Sequence, residues 1–179
     1  VMFRCINQFM SNNPMRSAIS IAGGKCTIAD IIIQRNNNDQ WDYRRTISFT
    51  SFGLIWSGGG QYILFNIIFP RIFGAGIFNG CRLAISKSLV FDQVVHAPFM
   101  YFPMFYLFRE LGDSQKKDQV LNSAFDAWKN EIVDDMIIQV VIFLPVQIIN
   151  FKYSPKHIRI PLLTGVGFIY SMFLSYSKY

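Results

Sequence analysis

The fold of this chain follows from one stretch, residues 46–69, which reads TISFTSFGLIWSGGGQYILFNIIF. It contains no Asp, Glu, Lys, Arg or His, and it lies between Arg44-Arg45 and Pro70-Arg71. A helix of about 20 apolar residues crosses the hydrocarbon core of a bilayer. A soluble helix of this length would need a polar face, and this stretch has none. Because lipid offers no partners for backbone polar groups, the stretch predicts a membrane-spanning helix.

Small residues occupy the middle of this predicted helix. Small residues let a neighbouring helix approach closely in a membrane, where packing drives helix association. The favoured interpretation is therefore a tight helix–helix contact, and the alternative is a kink or a permeation constriction. The residues concerned are Gly53, Ser57, Gly58, Gly59 and Gly60.

The composition also indicates a membrane protein. The chain has 179 residues, of which 51% are hydrophobic and 16% charged, against a typical charged share of about 25%. Its net charge is +6, and the basic residues lie beside apolar runs, which is typical of contacts with lipid headgroups. We therefore expect membrane lipids as partners, with cardiolipin at the basic loops, and no nucleic acid.

Apolar runs recur along the whole chain, separated by short polar segments. We predict an all-α, polytopic membrane helix bundle of about four to five helices in one domain, with an amphipathic surface helix. The apolar residues of that surface helix recur at helical spacing, and Trp128 is expected at the level of the headgroups. The domain covers residues 1–179, the predicted spans are 15–34, 46–69, 89–108, 136–151 and 160–176, and the surface helix is 114–132.

Several polar residues fall within or beside the predicted spans. Ionisable groups inside a membrane pair with each other, line water or snorkel to the headgroups. Asp92 and His96 are four residues apart and share one helix face, so they are able to relay protons, bind an ion or clamp helices together. The candidates for a polar path or for interhelical contacts are Lys25, Asp30, Asp92, Gln93, His96, Gln147, Asn150 and Arg159.

The sequence carries no pattern of a known catalytic site. It has neither a phosphate-binding glycine loop nor a nucleophile elbow. The two histidines, His96 and His157, are too few for most metal sites. Cys5, Cys26 and Cys81 have neither zinc nor redox spacing, so we interpret them as packing residues. We expect a protein without enzymatic activity, cofactor or metal.

Several motifs resemble those of the Mpv-17 / peroxisomal membrane protein 22-kDa family. Residues 147–159 are similar to its Q-x-x-N-F-x-x-V-P-x-x-x-R signature through Gln147, Asn150, Phe151, Pro155 and Arg159. Further matches in order and spacing are Asn13-Pro14, the segment Ala29-Asp30-Ile31-Ile32-Ile33-Gln34, Arg44 or Arg45, Asp92-Gln93 with Ala97-Pro98, and Leu174-Ser175.

The chain departs from that family at three motifs. The family's G-P-x-x-H-x-W-Y motif is replaced by residues 58–65, which keep only its first glycine. Phe143 stands for a tryptophan, and the accompanying proline is shifted to Pro145. Tyr170-Ser171 replaces a tryptophan–asparagine pair. These changes put an inherited pore function in doubt.

The resemblance implies a compact bundle of about four membrane helices in the mitochondrial inner membrane or the peroxisomal membrane. It also implies the weakly selective channel behaviour and the role in mitochondrial DNA maintenance that are associated with the family. From the altered motifs we predict a structural accessory subunit of a respiratory-chain assembly, with other membrane subunits as partners. The alternative is a weakly selective channel or transporter of either membrane.

Overall fold

The computed structural model describes residues 8, 10–36, 41–74, 81–113, 119–153, 165–174 and 176. Within these ranges the chain is almost entirely helical and contains no strand, which confirms the predicted all-α class. The helices are α1 (Pro14–Asn36), α2 (Tyr43–Phe73), α3 (82–112), α4 (Val120–Tyr153) and α5 (Gly165–Leu174).

The predicted spans and the helices differ most at α4. The sequence predicts a surface helix over 114–132 and a separate span over 136–151, but residues 120–153 form one continuous helix. The change from a charged to an apolar composition near Asp134 suggested a boundary. No Gly or Pro interrupts the helix before Pro145, so nothing in the local chemistry ends it there. Residues 114–118 and 160–164, which also belong to predicted elements, lie outside the described residues.

Two of the described helices are long and apolar enough to cross a membrane, judged by length and composition alone. They are Tyr43–Phe73 and Val120–Ile149, and α5 is a shorter apolar helix. In the most apolar 18 residues of each helix, the buried share is 33% for Tyr43–Phe73 and 11% for Val120–Ile149. Most of their apolar surface therefore faces the surroundings of the protein, as lipid-exposed helices require.

Both α2 and α3 contain segments with the wider π-helical turn. In α2 these are Gly53–Gly60 and Leu64–Ile68, and in α3 the segment is Asp92–Tyr101. Pro98 lies inside the α3 segment, where it removes one backbone N–H from the helical ladder. Wide turns of this kind occur frequently at functional sites.

Glycines allow α1 and α2 to pack backbone against backbone. A Cβ atom added to Gly58 would lie 2.6 Å from the Cα of Ile19, and one added to Gly53 would lie 2.8 Å from the carbonyl oxygen of Ala22. Gly59 and Gly60 have looser surroundings, since their nearest neighbours would be 3.5 Å and 3.1 Å away, within α2 itself. The close contact with α1 is therefore made by Gly53 and Gly58.

An aromatic core joins α3 to the α1–α2 pair. Phe49 and Phe52 of α2 contact Phe105 of α3 edge to face, with ring centroids 6.2 Å and 5.5 Å apart. Edge-to-face pairs of this kind contribute beyond their buried area. The same buried cluster includes Cys26 and Ala29 from α1, Ala124 from α4 and Tyr170 and Leu174 from α5.

We expect Gly58→Ala to lower the free energy of unfolding by about 1–3 kcal/mol, because the new methyl group meets the backbone of α1. Gly24→Ala is the matched control, since a Cβ there has nothing within 4 Å. That control should be neutral or stabilising by up to about 1 kcal/mol. Thermal unfolding in detergent micelles measures both, and equal effects of the two substitutions would contradict the close contact.

Candidate functional site

The first polar cluster surrounds Asp30, which is 0% exposed. The Arg45 Nε donates to Asp30 Oδ1 over 2.8 Å. The Thr46 hydroxyl and the Gln34 Nε2 donate to Asp30 Oδ2 over 2.8 Å and 2.7 Å. The Gln34 Oε1 in turn accepts from the backbone N–H of Asp42 over 2.7 Å. We call Asp30, Gln34, Arg45 and Thr46 the Asp30 cluster.

This cluster links the end of α1 to the start of α2. Asp42 caps α2, because its Oδ1 accepts from the backbone N–H groups of Arg44 and Arg45 over 2.9 Å and 3.3 Å. Both oxygens of Asp30 are engaged, so its charge is compensated in the interior. Removing one partner of such a buried pair is costly, because the other charge is then left uncompensated.

Lys25 lies apart from this cluster, although the sequence places it only five residues from Asp30. Five residues are 500° along an α-helix, so the two side chains leave α1 in different directions. Lys25 is half-buried, and its Nζ lies 2.8 Å from the position that a Cβ on Gly167 of α5 would occupy. The cation that pairs with Asp30 is Arg45 of α2, and not Lys25.

The second cluster lies on the π-helical segment of α3. His96 Nδ1 lies 2.8 Å from Asp92 Oδ1, and Gln93 Nε2 donates to Asp92 Oδ2 over 3.2 Å. Asp92, Gln93 and His96 are 5%, 8% and 2% exposed. We call these three residues the His96 cluster. It brings together three of the residues that the sequence singles out.

Aromatic rings surround the imidazole of His96. The rings of Trp56 and Phe65 from α2 have their centroids 6.3 Å and 5.9 Å from it, and that of Tyr101 is 6.4 Å away. Three buried atoms at this place have no hydrogen-bond partner: His96 Nε2, Gln93 Oε1 and Trp56 Nε1. A buried carboxylate–imidazole pair of this kind is able to hold and exchange a proton.

The third cluster connects α3 to α4 and was missed by sequence reasoning. Arg109 Nη1 pairs with Glu131 Oε2 over 3.1 Å, and its Nη2 pairs with Glu110 Oε1 over 3.0 Å. The guanidinium lies over the ring of Tyr106, 4.9 Å from its centroid. The Tyr106 hydroxyl donates to Asp135, which is 1% exposed. We call these five residues the Arg109 cluster.

A signal for the Arg109 cluster does exist in the sequence. Arg109-Glu110 ends the third apolar run, and Glu131 and Asp135 lie four residues apart, on one face of the following helix. The pairing depends on how α4 crosses α3, which periodicity alone does not give.

The remaining predicted residues are placed as follows. Gln147 lies in α4, and its Oε1 is buried without a hydrogen-bond partner. Asn150 belongs to the helical backbone of α4, but its side chain lies outside the described residues, as does the whole of Arg159. Among the described residues no three His, Cys, Asp or Glu side chains converge in a way that would hold a metal ion.

Arg45→Gln should reduce the free energy of unfolding by about 3–5 kcal/mol, because it leaves the Asp30 carboxylate buried without its cation. Arg44→Gln is the control. Arg44 is next to Arg45 in sequence, but it is exposed and outside the Asp30 cluster, so its substitution should change the free energy of unfolding by no more than about 0.5 kcal/mol. Far-ultraviolet circular dichroism during denaturation in micelles gives both values. A loss below that of the control would show that the pair does not stabilise the fold.

The long apolar helices with exposed apolar side chains and the buried Asp30–Arg45 ion pair are the features of an all-helical membrane protein. Residues 117–175 match the model of the Mpv17 / PMP22 family. This match confirms the resemblance to that family drawn from the motifs.

Full-length relatives extend the similarity beyond the matched segment. The chain is 22% identical to the mitochondrial inner membrane protein Mpv17 of Caenorhabditis briggsae, over 98% of this chain and 92% of that protein. It is 24% identical to Mpv17 of Danio rerio, over 98% and 96%. It is also 24% identical to PXMP2/4 family protein 3 of Dictyostelium discoideum, over 93% and 85%. No solved structure matches the chain.

The names of the Mpv17 relatives confirm the predicted location in the mitochondrial inner membrane. The Dictyostelium relatives are consistent with the peroxisomal alternative. The coarser functional prediction, a membrane protein that resembles this family, is supported by the same matches.

Proposed function

We propose that the chain is a non-enzymatic accessory subunit of a larger respiratory-chain assembly in the mitochondrial inner membrane. Its partners would be other membrane subunits and the surrounding lipids, with cardiolipin at the basic loops. The observation that carries this proposal is a series of exposed apolar side chains on α4, a helix that is too long for the bilayer.

The Asp30 and Arg109 clusters support a structural role. Each cluster uses its charged groups to connect two helices: α1 with α2, and α3 with α4. The carboxylates accept hydrogen bonds from neighbouring side chains instead of facing an open path. Polar groups that act in this way serve as interhelical ties in a membrane bundle.

The outer face of α4 offers a surface to a partner. Large apolar side chains along the helix are more than half exposed, namely Leu121 (73%), Phe125 (59%), Val133 (65%), Ile137 (57%) and Val141 (66%). Successive members four residues apart share a face, as Leu121 and Phe125 do and as Val133 and Ile137 do, and the series turns around the helix by about 200° between Leu121 and Val141.

The length of α4 indicates that a protein, and not lipid alone, covers these exposed side chains. Its 34 residues span about 50 Å, whereas the hydrocarbon core is about 30 Å thick. The exposed charges of Asp126, Lys129 and Asp134 lie in its first half. Leu121 and Phe125 are therefore exposed on a segment that lipid does not cover completely. Exposed apolar residues of this kind mark protein interfaces.

The test is extraction of native membranes with a mild detergent, followed by native electrophoresis and mass spectrometry of the bands. We expect the chain, 20.7 kDa by itself, to migrate with a much larger respiratory assembly. The double substitution Leu121→Gln and Phe125→Gln should release it, whereas Asn130→Ala, an exposed polar position on the same helix, should not. Migration of the unaltered chain at its own mass would contradict the proposal.

One observation favours the alternative, a weakly selective channel. Gln139, Phe143 and Gln147 share one face of α4, and Phe143 packs on Tyr170 of α5 with ring centroids 5.1 Å apart. The side-chain oxygens of Gln139, Gln147 and Tyr170 are buried there without hydrogen-bond partners. Intramembrane polar groups of this kind mark solute paths in other membrane proteins.

A channel would conduct ions in reconstituted planar bilayers, and Lys25→Met would alter its ion selectivity because a half-buried cation is removed. Leu83→Met, on the exposed surface of α3, serves as the control. Silent bilayers that contain correctly folded protein would exclude this alternative and leave the accessory role.

A further inference from the structure

Two prolines of α3, Pro98 and Pro103, leave this helix with backbone carbonyls that lack their usual donors. The prolines are five residues apart, which is the spacing of the hydrogen bonds in a π-helix. Phe102 lies between them and donates its backbone N–H to the carbonyl oxygen of Ala97, which is also five residues back. In this register the carbonyl of Pro98 would accept from residue 103, which is a proline and has no N–H.

The indole of Trp128 supplies the missing donor from another helix. Its Nε1 donates to the carbonyl oxygen of Pro98 over 2.8 Å. The Trp128 ring also lies beside two phenylalanine rings, and its centroid is 5.5 Å from that of Phe125 of α4 and 6.3 Å from that of Phe99 of α3. These aromatic contacts hold the indole at the break between the two prolines. A side chain of α4 therefore completes a hydrogen bond that the backbone of α3 is unable to form.

Two backbone registers of this segment leave the same number of carbonyls without a donor. In the wide register, with hydrogen bonds between residues five apart, the prolines deprive the carbonyls of Gln93 and Pro98. In the α register, with hydrogen bonds between residues four apart, they deprive the carbonyls of Val94 and Phe99. The backbone alone therefore does not select a register. A donor placed at the carbonyl of Pro98 favours the wide register by one hydrogen bond.

We propose that Trp128 acts as a register switch for α3. Its hydrogen bond to Pro98 holds residues 92–101 in the wide register, and withdrawal of the indole removes the preference for that register. A buried acceptor that loses its donor destabilises the state in which it is left unpaired, so the two registers become close in free energy. The position of α4 thereby decides the backbone register of α3.

The switch acts on the buried Asp92–His96 pair. His96 lies within the wide segment, two residues before Pro98. Its imidazole packs against Trp56 and Phe65 of α2, with ring centroids 6.3 Å and 5.9 Å away. A wide turn contains more residues than an α turn, so a change of register rotates the imidazole relative to these two rings. A displacement of α4 is transmitted in this way to a titratable pair in the interior.

A double-mutant cycle tests the role of the indole N–H. Trp128→Phe keeps an aromatic ring but removes the donor, and we expect the equilibrium constant of unfolding in micelles to rise about tenfold or more. Pro103→Ala returns a backbone N–H to the carbonyl of Pro98, so in that background Trp128→Phe should raise the constant by less than about threefold. Pro70→Ala, at a proline of α2, is the control background and should leave the full effect. Equal effects of Trp128→Phe in the two backgrounds would overturn the proposal.

Nuclear magnetic resonance of the ¹⁵N-histidine-labelled full chain in micelles reports the register itself. The chain has two histidines, so His157→Gln leaves His96 as the single signal. Trp128→Phe should shift or split that signal, because the imidazole then moves relative to α2. Leu121→Met, at an exposed position of α4, is the control and should leave the signal in place. A His96 signal that is unchanged in Trp128→Phe would overturn the switch.

A third measurement applies if Trp128→Phe does not fold. The chain has three tryptophans, so Trp41→Phe and Trp56→Phe assign the remaining indole signal to Trp128. In Pro103→Ala the new backbone N–H shares the carbonyl of Pro98 with the indole, so the Trp128 N–H should exchange with deuterium faster than in the unaltered chain. An unchanged exchange rate would overturn the proposal.

Discussion

An ion pair in the interior and a backbone contact together hold α1 against α2, and the other helices are arranged around these two helices. The Asp30–Arg45 contact lies where α1 ends and α2 begins, and the contacts of Gly53 with Ala22 and of Gly58 with Ile19 lie about two and three turns of α1 away from Asp30. The hydroxyls of Thr27 and Thr50, 2.7 Å apart, lie between them. Three kinds of contact therefore fix one register of α1 on α2, and a shift along the axis would disrupt all three.

The end of α3 is positioned by its contacts with α2 of this helix pair. A Cβ on Gly112 would lie 3.1 Å from the Cβ of Ser48, so α3 comes close to α2 there, although less close than α1 comes at Gly58. The Ser48 hydroxyl donates to the backbone carbonyl of Phe108 near the end of α3. The Arg109 cluster then attaches α4 to the same end of α3. The helices α2, α3 and α4 are thus each tied to the preceding helix by a polar contact in an apolar surrounding, where packing alone gives little orientation.

The sequence predicted what depends on local composition. The apolar run over residues 46–69 and the proline at residue 14 gave helices close to α2 and α1, because hydrophobic length and helix-start chemistry are local properties. The sequence also named Asp30, Asp92 and His96 as polar residues within spans. It did not give their partners, because Asp30 and Arg45 meet only when two helices pack side by side. The continuity of α4 across the predicted elements 114–132 and 136–151 was missed for a different reason. A change in composition was interpreted as a break in the helix.

The account as a whole depends on the register of α1 on α2, and a disulfide crosslink between positions 27 and 50 tests that register most directly. In a chain whose natural cysteines are replaced, Thr27→Cys with Thr50→Cys should form an intramolecular disulfide under mild oxidation in native membranes, because the two hydroxyls that these sulfurs replace are in contact. Ile28→Cys with Thr50→Cys should not, since Ile28 is 53% exposed on another side of α1. Absence of the first crosslink, or equal yields of the two, would contradict the register and with it the arrangement of the bundle.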